Sequence, residues 1–344
     1  MPIDEYDVSI NKALANPSFV SSLQVLEGGS RNPLQRIENM YTEFFSKLKT
    51  ACDENVARCF ITGVTPLALN EFTSGFNIAT HITDDLEFAS LYGFTEADVK
   101  NGLGRLEKLS EPVVARIVES WRYNHNGYLF DPRQKVALYN PTRALHGLRQ
   151  LERALRLDPP PSTLQPEKQA DYLLEQITRD SNSLPAEATL EAIKRNPNTS
   201  TVIAEALSAN NAVLKCGERV QANFRLSHMN ELATDRQALH AFMFYNGALT
   251  YAPFVGAERI YNLRIPNNVA REEFAKELEK RIGLDKIGYQ SLREAIITML
   301  ETKKLDSFCE TVSKYLLDGL AGRDIIGGED PFAQGKNIIY SLLC

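Results

Sequence analysis

Three consecutive prolines, Pro159, Pro160 and Pro161 in "LDPPPSTLQPEK", divide this chain of 344 residues. Each proline ring fixes φ, removes a backbone N–H and pushes the preceding residue out of helical geometry. Neither a helix nor a central strand can run through such a stretch. With the polar residues and Pro166 that follow, 158–185 is expected to be a Pro-rich linker. The length allows two or three domains, each able to bury its own core.

Before the prolines, Leu34, Ile37, Tyr41, Phe44, Phe45 and Leu48 recur at three and four and predict a helix over 33–50, opened by Pro33. Residues 8–15 also have a helical pattern. "VARCFITGV" (56–64) is short and rich in β-branched and aromatic residues, which predicts a buried strand. "TDDLEFASLYGF" predicts a helix with Thr83 as N-cap and Gly93 just past its end, and "TEADVKNGL" a second, with Thr95 and Asp98 spaced as a capping box. Val113, Val114, Ile117, Val118 and Trp121 form another apolar stripe. "NGYLFDPRQKVALYNP" predicts a β-hairpin, and Pro141 opens a helix through Leu155. After the prolines, "STVIAEALSAN" is expected to be helical, "AVLKCGERV" extended, "DRQALHAFMFYNGALTY" a helix buried all round, and "RIYNLRIPN" a strand ending at Pro266. The last 78 residues are expected to be helical.

Net charge is −6 and pI about 5.6, so bulk attraction to nucleic acid or anionic membrane is not expected. Five cysteines, Cys52, Cys59, Cys216, Cys309 and Cys344, are scattered without CxxC spacing, which favours free thiols over a disulfide framework or zinc site. No apolar run approaches the roughly 18 residues of a membrane span, and the N-terminus lacks the regions of a signal peptide. The expected setting is intracellular, cytoplasmic or nuclear.

The first residues carry the candidate chemistry. In "PIDEYD" a short apolar stretch delivers Asp4 and Glu5, the arrangement of a Walker B strand. There one carboxylate holds Mg²⁺ through its water shell and its neighbour polarises the attacking water. Pro2 removes a ladder donor, so the strand can be only a stub. A nucleotide site also needs GxxxxGK[ST] after a strand. Gly335-Lys336 is the only Gly-Lys pair; its upstream glycine is too far away and Asn337 follows. "GLGRLE" lacks the third glycine of a dinucleotide loop. Glu301-Thr302-Lys303 has the Glu-x-Lys of a nuclease, but it ends an amphipathic helix with Leu292, Ile296, Ile297 and Leu300 on its buried side, not a strand. His81 and His125 are expected in loops as solvated or hydrogen-bonded side chains. His228 and His240 have no third ligand nearby for zinc. Trp121, Tyr123 and Tyr128 are expected to pack beside the hairpin. In "KCGERVQANFRLSH" the odd positions Lys215, Arg219 and Arg225 share one face of a strand, a candidate nucleic-acid contact.

Seven segments appear in order: "IDEYD", "FITGVTPLALNEFTSGFN", "DDLEFASLYGFTEADV", "WRYNHNGYLF", "LYNPTRAL", "YNGALTY" and "YNLRIPNNVAREEF". Together, over roughly residues 3–344, they resemble the AAA-ATPase-like family, P-loop ATPases often fused to a PD-(D/E)XK nuclease-like module in bacteria and fungi. The resemblance implies that Asp4 and Glu5 are the Walker B acids, with Asp4 on Mg²⁺. It makes Thr62 the polar sensor of the γ-phosphate, and "SGFN" and "YGFTEADV" the helical region behind the ATPase core. The family's phosphate loop, upstream of "IDEYD", and its nuclease core, beyond the C-terminal helices, have no counterpart in this sequence.

The expected fold is α+β and mostly α-helical, a partial P-loop ATPase sheet followed by helical regions and small β-hairpins. Its expected parts are the C-terminal half of a P-loop domain (1–80), a helical and hairpin extension (81–157), the Pro-rich linker (158–185), a connecting module (186–266) and a helical tail (267–344). The expected function is an ATPase-derived interaction or regulatory protein that does not hydrolyse Mg-ATP alone. A protein partner or a second copy would cover the truncated sheet edge. The alternatives are a split or longer ATPase coupled to nucleic-acid processing, and a Crinkler-type effector.

Overall fold

The computed structural model describes residues 2–7, 33–55, 58–64, 80, 82–83, 85–107, 109–179, 199–208, 214–217, 220, 234–254, 261–274, 286–312 and 314. It is mostly helical with two small sheets, as the sequence predicts. The predicted helix over 8–15 and the Gly335-Lys336 pair lie outside the described residues.

The first sheet is β1 (Pro2–Ile3) beside β2 (Phe60–Ile61), parallel, with Pro2 opposite Phe60 and Ile3 opposite Ile61. Parallel neighbours need a crossover, and α1 (Pro33–Asp53) lies within that connection. The buried line of α1 runs through Phe45 and Leu48, with Tyr41 and Cys52 packed partly against the same core. Phe44, expected on that line, sits one step round the helix and is about half exposed. The Tyr41 hydroxyl donates to the Tyr6 carbonyl and so pins α1 to the turn after β1.

"LEFASLY" forms a 3₁₀ helix, Leu86–Tyr92. Its N-cap is Asp85, whose carboxylate accepts from the Glu87 N–H at 3.1 Å, and not Thr83 as expected. An Asp side chain reaches the amide two residues ahead, which caps a tighter turn closer to the helix. The capping box forms as predicted and opens α2 (Glu96–Gly104). Beyond it lie α3 (Glu111–His125) and α4 (Pro141–Leu157), the latter capped by Asn140 with Pro141 in its first turn. Ala144, Gly147, Leu151, Ala154 and Leu155 form the buried stripe of α4.

The prolines make a corner, not a long linker. Residues 158–165 are irregular, but Pro166–Arg179 is a helix, α5, so the linker expectation for 158–185 is corrected over 166–179; 180–185 lie outside the described residues. Pro166 occupies the helix start, where its missing N–H costs nothing, and Ala170 and Leu173 present a buried face to α3 and α4. Asp158, which ends α4, accepts from the Tyr172 hydroxyl at 2.7 Å and the Gln176 amide at 3.0 Å, folding α5 back on α4. Four helices, α2 to α5, thus enclose one core around Trp121.

A second core gathers side chains from α1, from Leu129 in the hairpin, from α6 (Thr199–Ser208) and from α7 (Arg236–Tyr245). It also takes in the second sheet, ordered β3 (Leu214–Gly217), β5 (Tyr261–Arg264), β4 (Thr250–Tyr251), antiparallel throughout. Helix α7 is buried on nearly all sides, as its composition predicts, and turns at Gly247 into β4. Buried side chains therefore group across the prolines, with Phe45 and Leu48 in the same core as Phe242 and Leu263.

The predicted hairpin is a loop pinched at one rung. Tyr128 and Leu138 exchange backbone bonds of 3.2 and 3.0 Å, and Asp131 caps the turn at Arg133. No ladder extends inward because Leu129 turns to the second sheet, where the Thr250 hydroxyl accepts from its N–H at 2.7 Å and donates to its carbonyl at 2.9 Å. Near the C-terminal end, 268–274 is helical, followed by α8 (Lys286–Thr302) and α9 (Asp306–Val312). In α8, Leu292, Ala295 and Ile296 are buried. Ile297 and Leu300, expected beside them, are about half exposed. Among the described residues no helix is long and apolar enough to cross a membrane.

Candidate functional site

Parallel pairing of β1 and β2 sets Asp4 and Thr62 side by side, because each is the residue just after its strand. The Thr62 N–H donates to the Ile3 carbonyl at 2.8 Å, and the Tyr6 N–H donates to the Thr62 carbonyl at 3.1 Å. Locked by these two backbone bonds, the Thr62 hydroxyl donates to Asp4 Oδ1. The same oxygen accepts from the Glu5 N–H at 3.0 Å. Both acids are exposed, and Glu5 adopts φ +49°, a left-handed conformation that non-glycine residues seldom take. That kink turns the chain so that Asp7 is buried, where both its carboxylate oxygens accept from the Val64 N–H at 3.1 Å. Sequence reasoning singled out Asp4, Glu5 and Thr62 but missed Asp7, the one acid of the motif that the fold puts inside. No residue type announces the kink at Glu5 that turns it inward.

Asp4 and Glu5 are the carboxylates at these strand ends that could meet a cation. Among the described residues no group of three or more His, Cys, Asp or Glu side chains converges as a metal cage. Magnesium brought by a triphosphate needs few protein ligands, since phosphates and waters fill most of its octahedron. Asp4, exposed and with its bonds concentrated on Oδ1, fits a role of accepting from such a coordinated water.

The other candidates separate. Lys215 lies on β3, paired with Asn262 of β5, while Arg219 and Arg225 are outside the described residues, as are His81 and His228. Glu301 and Thr302 end α8, and Lys303 has φ +58° in the turn that follows. Trp121 is buried against Gly147 as expected, whereas Tyr123 is exposed. Cys52 and Cys59 are half-buried free thiols with their sulfurs 3.8 Å apart. Cys309 is exposed.

A buried polar junction was not foreseen. His125, expected in a loop, is the last residue of α3, and burial together with the Arg143 charge lowers its pKa to about 4. Around it meet Arg143 at the start of α4, Tyr128 of the hairpin, and Arg264, Asn267 and Glu273 from the end of β5 and the helix after it. Arg143 reaches Glu273 at 3.3 Å, and Arg264 reaches the Gly127 carbonyl at 3.3 Å. Burial pulls Arg264 down from its ordinary value and pushes Tyr128 up. His125 Nδ1, Arg143 Nη1, Arg264 Nε and Asn267 Nδ2 are buried without a hydrogen-bond partner among the described residues. The signal in the sequence was the density of asparagines around single glycines and prolines, "NHNGY", "YNP" and "RIPNN". His240 is likewise buried within α7, its pKa lowered by burial to about 4.

Comparison with protein-family models, with curated proteins and with solved structures finds no match to this chain.

Proposed function

We propose that this chain is ATPase-derived, an interaction or regulatory protein that keeps the magnesium and sensor side of a P-loop site and does not turn over ATP alone. One observation supports the reading above the rest: the Thr62 hydroxyl donates to the Asp4 carboxylate across the carboxyl ends of two parallel strands. In α/β sheets, ligands bind at that end. The ordered segments that resemble the AAA-ATPase-like family place the Walker B acid and the sensor on these same two residues. In this reading Asp4 would hold a magnesium-bound water, Glu5 would stand where an ATPase polarises its attacking water, and Thr62 would position Asp4 and sense the phosphate. Bound Mg²⁺ would neutralise phosphate charge. The sequence contains no GxxxxGK[ST] to cradle the phosphates, so tight nucleotide binding calls for a loop supplied from elsewhere. The exposed Phe60 and Val64 beside the same sheet fit a partner or second copy at that edge.

Titration calorimetry of the isolated protein with Mg-ATP tests this. The expected result is no binding tighter than millimolar, in the wild type or in Asp4→Ala. Sub-millimolar binding that Asp4→Ala abolishes would overturn the non-hydrolytic reading. A coding segment with a GKS loop immediately upstream of the codon for Met1 would favour a split or longer ATPase instead.

A further inference from the structure

We propose that Cys52 and Cys59 form a reversible intramolecular disulfide that staples the end of α1 to the start of β2. Cys52 lies in the last turn of α1, and Cys59 immediately precedes Phe60 of β2. Their sulfurs are 3.8 Å apart, just beyond van der Waals contact, against about 2.05 Å in a disulfide. The end of the helix lies between them: the Asn55 N–H donates to the Cys52 carbonyl at 3.0 Å, and Asn55 takes φ +57°, the left-handed conformation of a helix end. Both side chains pack partly against the second core, so each is held facing the other. Burial and the neighbouring sulfur of Cys59 push the Cys52 thiol up, which favours its protonated form at rest.

The oxidant is a small-molecule disulfide such as oxidised glutathione. One cysteine thiolate attacks a glutathione sulfur, forming a mixed disulfide and releasing one glutathione thiolate. The second cysteine thiolate attacks the protein sulfur of that mixed disulfide, forming the Cys52–Cys59 bond and releasing the second. Two protein thiols are oxidised, one glutathione disulfide is reduced to two thiols, and the two protons go to the departing thiolates. The closed bond fixes β2, and with it Thr62, to α1.

The test uses the full chain carrying Cys216→Ser, Cys309→Ser and Cys344→Ser, equilibrated at graded ratios of oxidised to reduced glutathione, acid-quenched and alkylated. Trypsin cuts after Arg58, so the bond appears as two joined peptides whose mass is short by two hydrogens. Folded protein is expected to lose both alkylation sites together, as a monomer, at a glutathione ratio at least tenfold more reducing than the same chain in urea. That difference is what distinguishes a geometry built by the fold from the easy closure of any short loop. Adding Cys52→Ser should abolish the joined peptides and leave Cys59 open to a glutathione adduct. Stable glutathione adducts on the folded pair, inter-chain dimers, thiols that stay alkylatable throughout, or equal oxidation in urea would each overturn the proposal.

Discussion

Replacing Gly127 by alanine is expected to break the joint between the hairpin and the second sheet. Gly127 has φ +115°, a region that L side chains rarely enter, and holding a non-glycine residue there costs about 1–3 kcal/mol. A Cβ at this position would overlap the carbonyl oxygen of Pro266, which is backbone and cannot rotate away. The hairpin must then lift from β5, forfeiting the bond from Arg264 Nη2 to the Gly127 carbonyl, about 1 kcal/mol, together with nearby packing. The sum of the two is a loss of about 2–4 kcal/mol, before the packing is counted. Gly104→Ala is the matched control. It ends α2, a Cβ there meets nothing within 4 Å, and the change should gain about 0.5 kcal/mol. Urea unfolding monitored by far-ultraviolet circular dichroism gives both values. Trp121, the only tryptophan and 2% exposed, adds a fluorescence signal from the four-helix core. If Gly127→Ala unfolds within 1 kcal/mol of the wild type, the packing of Gly127 on Pro266 is wrong.

Two further outcomes are expected. Thr250→Val keeps the shape of the side chain but strands the buried N–H of Leu129, whose carbonyl keeps the Tyr251 N–H at 3.3 Å, and should cost about 1–3 kcal/mol in the same assay, while Thr250→Ser stays near the wild type; equal losses in the two would remove the hydroxyl from the explanation. Because the fold holds His125 and His240 neutral, with pKa values near 4 against about 6.5 unfolded, stability should be full above pH 6.5 and fall by up to about 1.4 kcal/mol per pH unit per histidine down to pH 4. The charges facing them are Arg143 for His125, and Arg236, Glu205 and Asp235 for His240. An unchanged acid slope in His125→Gln would refute its share.

Periodicity made the helices legible. Val113, Ile117 and Trp121 of α3 and the capping box of Thr95 and Asp98 are where spacing alone put them, since a stripe at three and four needs no knowledge of its partner. What spacing does not reveal is which flank of a stripe meets the core. Phe44, Ile297 and Leu300 fit their patterns and face outward, because neighbouring elements choose the flank. Around 158–185 local composition prevailed over the correct reading: prolines suggested a tether, while Ala170 and Leu173 carried the helical signal. At the candidate site, Asp4 and Thr62 were singled out, but their meeting depends on the parallel pairing of two stubs 58 residues apart, and the burial of Asp7 on a kink at Glu5 that no residue type announces. The histidine and arginine junction was hidden for a related reason. Its members come from three stretches up to 148 residues apart, and none is unusual by itself.

The clasp of Leu129 by Thr250 bears on how this gene can be cut. The proline corner invites a boundary for expressing two shorter polypeptides, yet the oily surface laid down by Phe45, Leu48 and Leu129 is finished only by Phe242, Tyr251 and Leu263 from the far side of that corner. Severed there, each piece carries an incomplete interior and should aggregate when produced alone, whereas the two made together in one cell should find each other and dissolve.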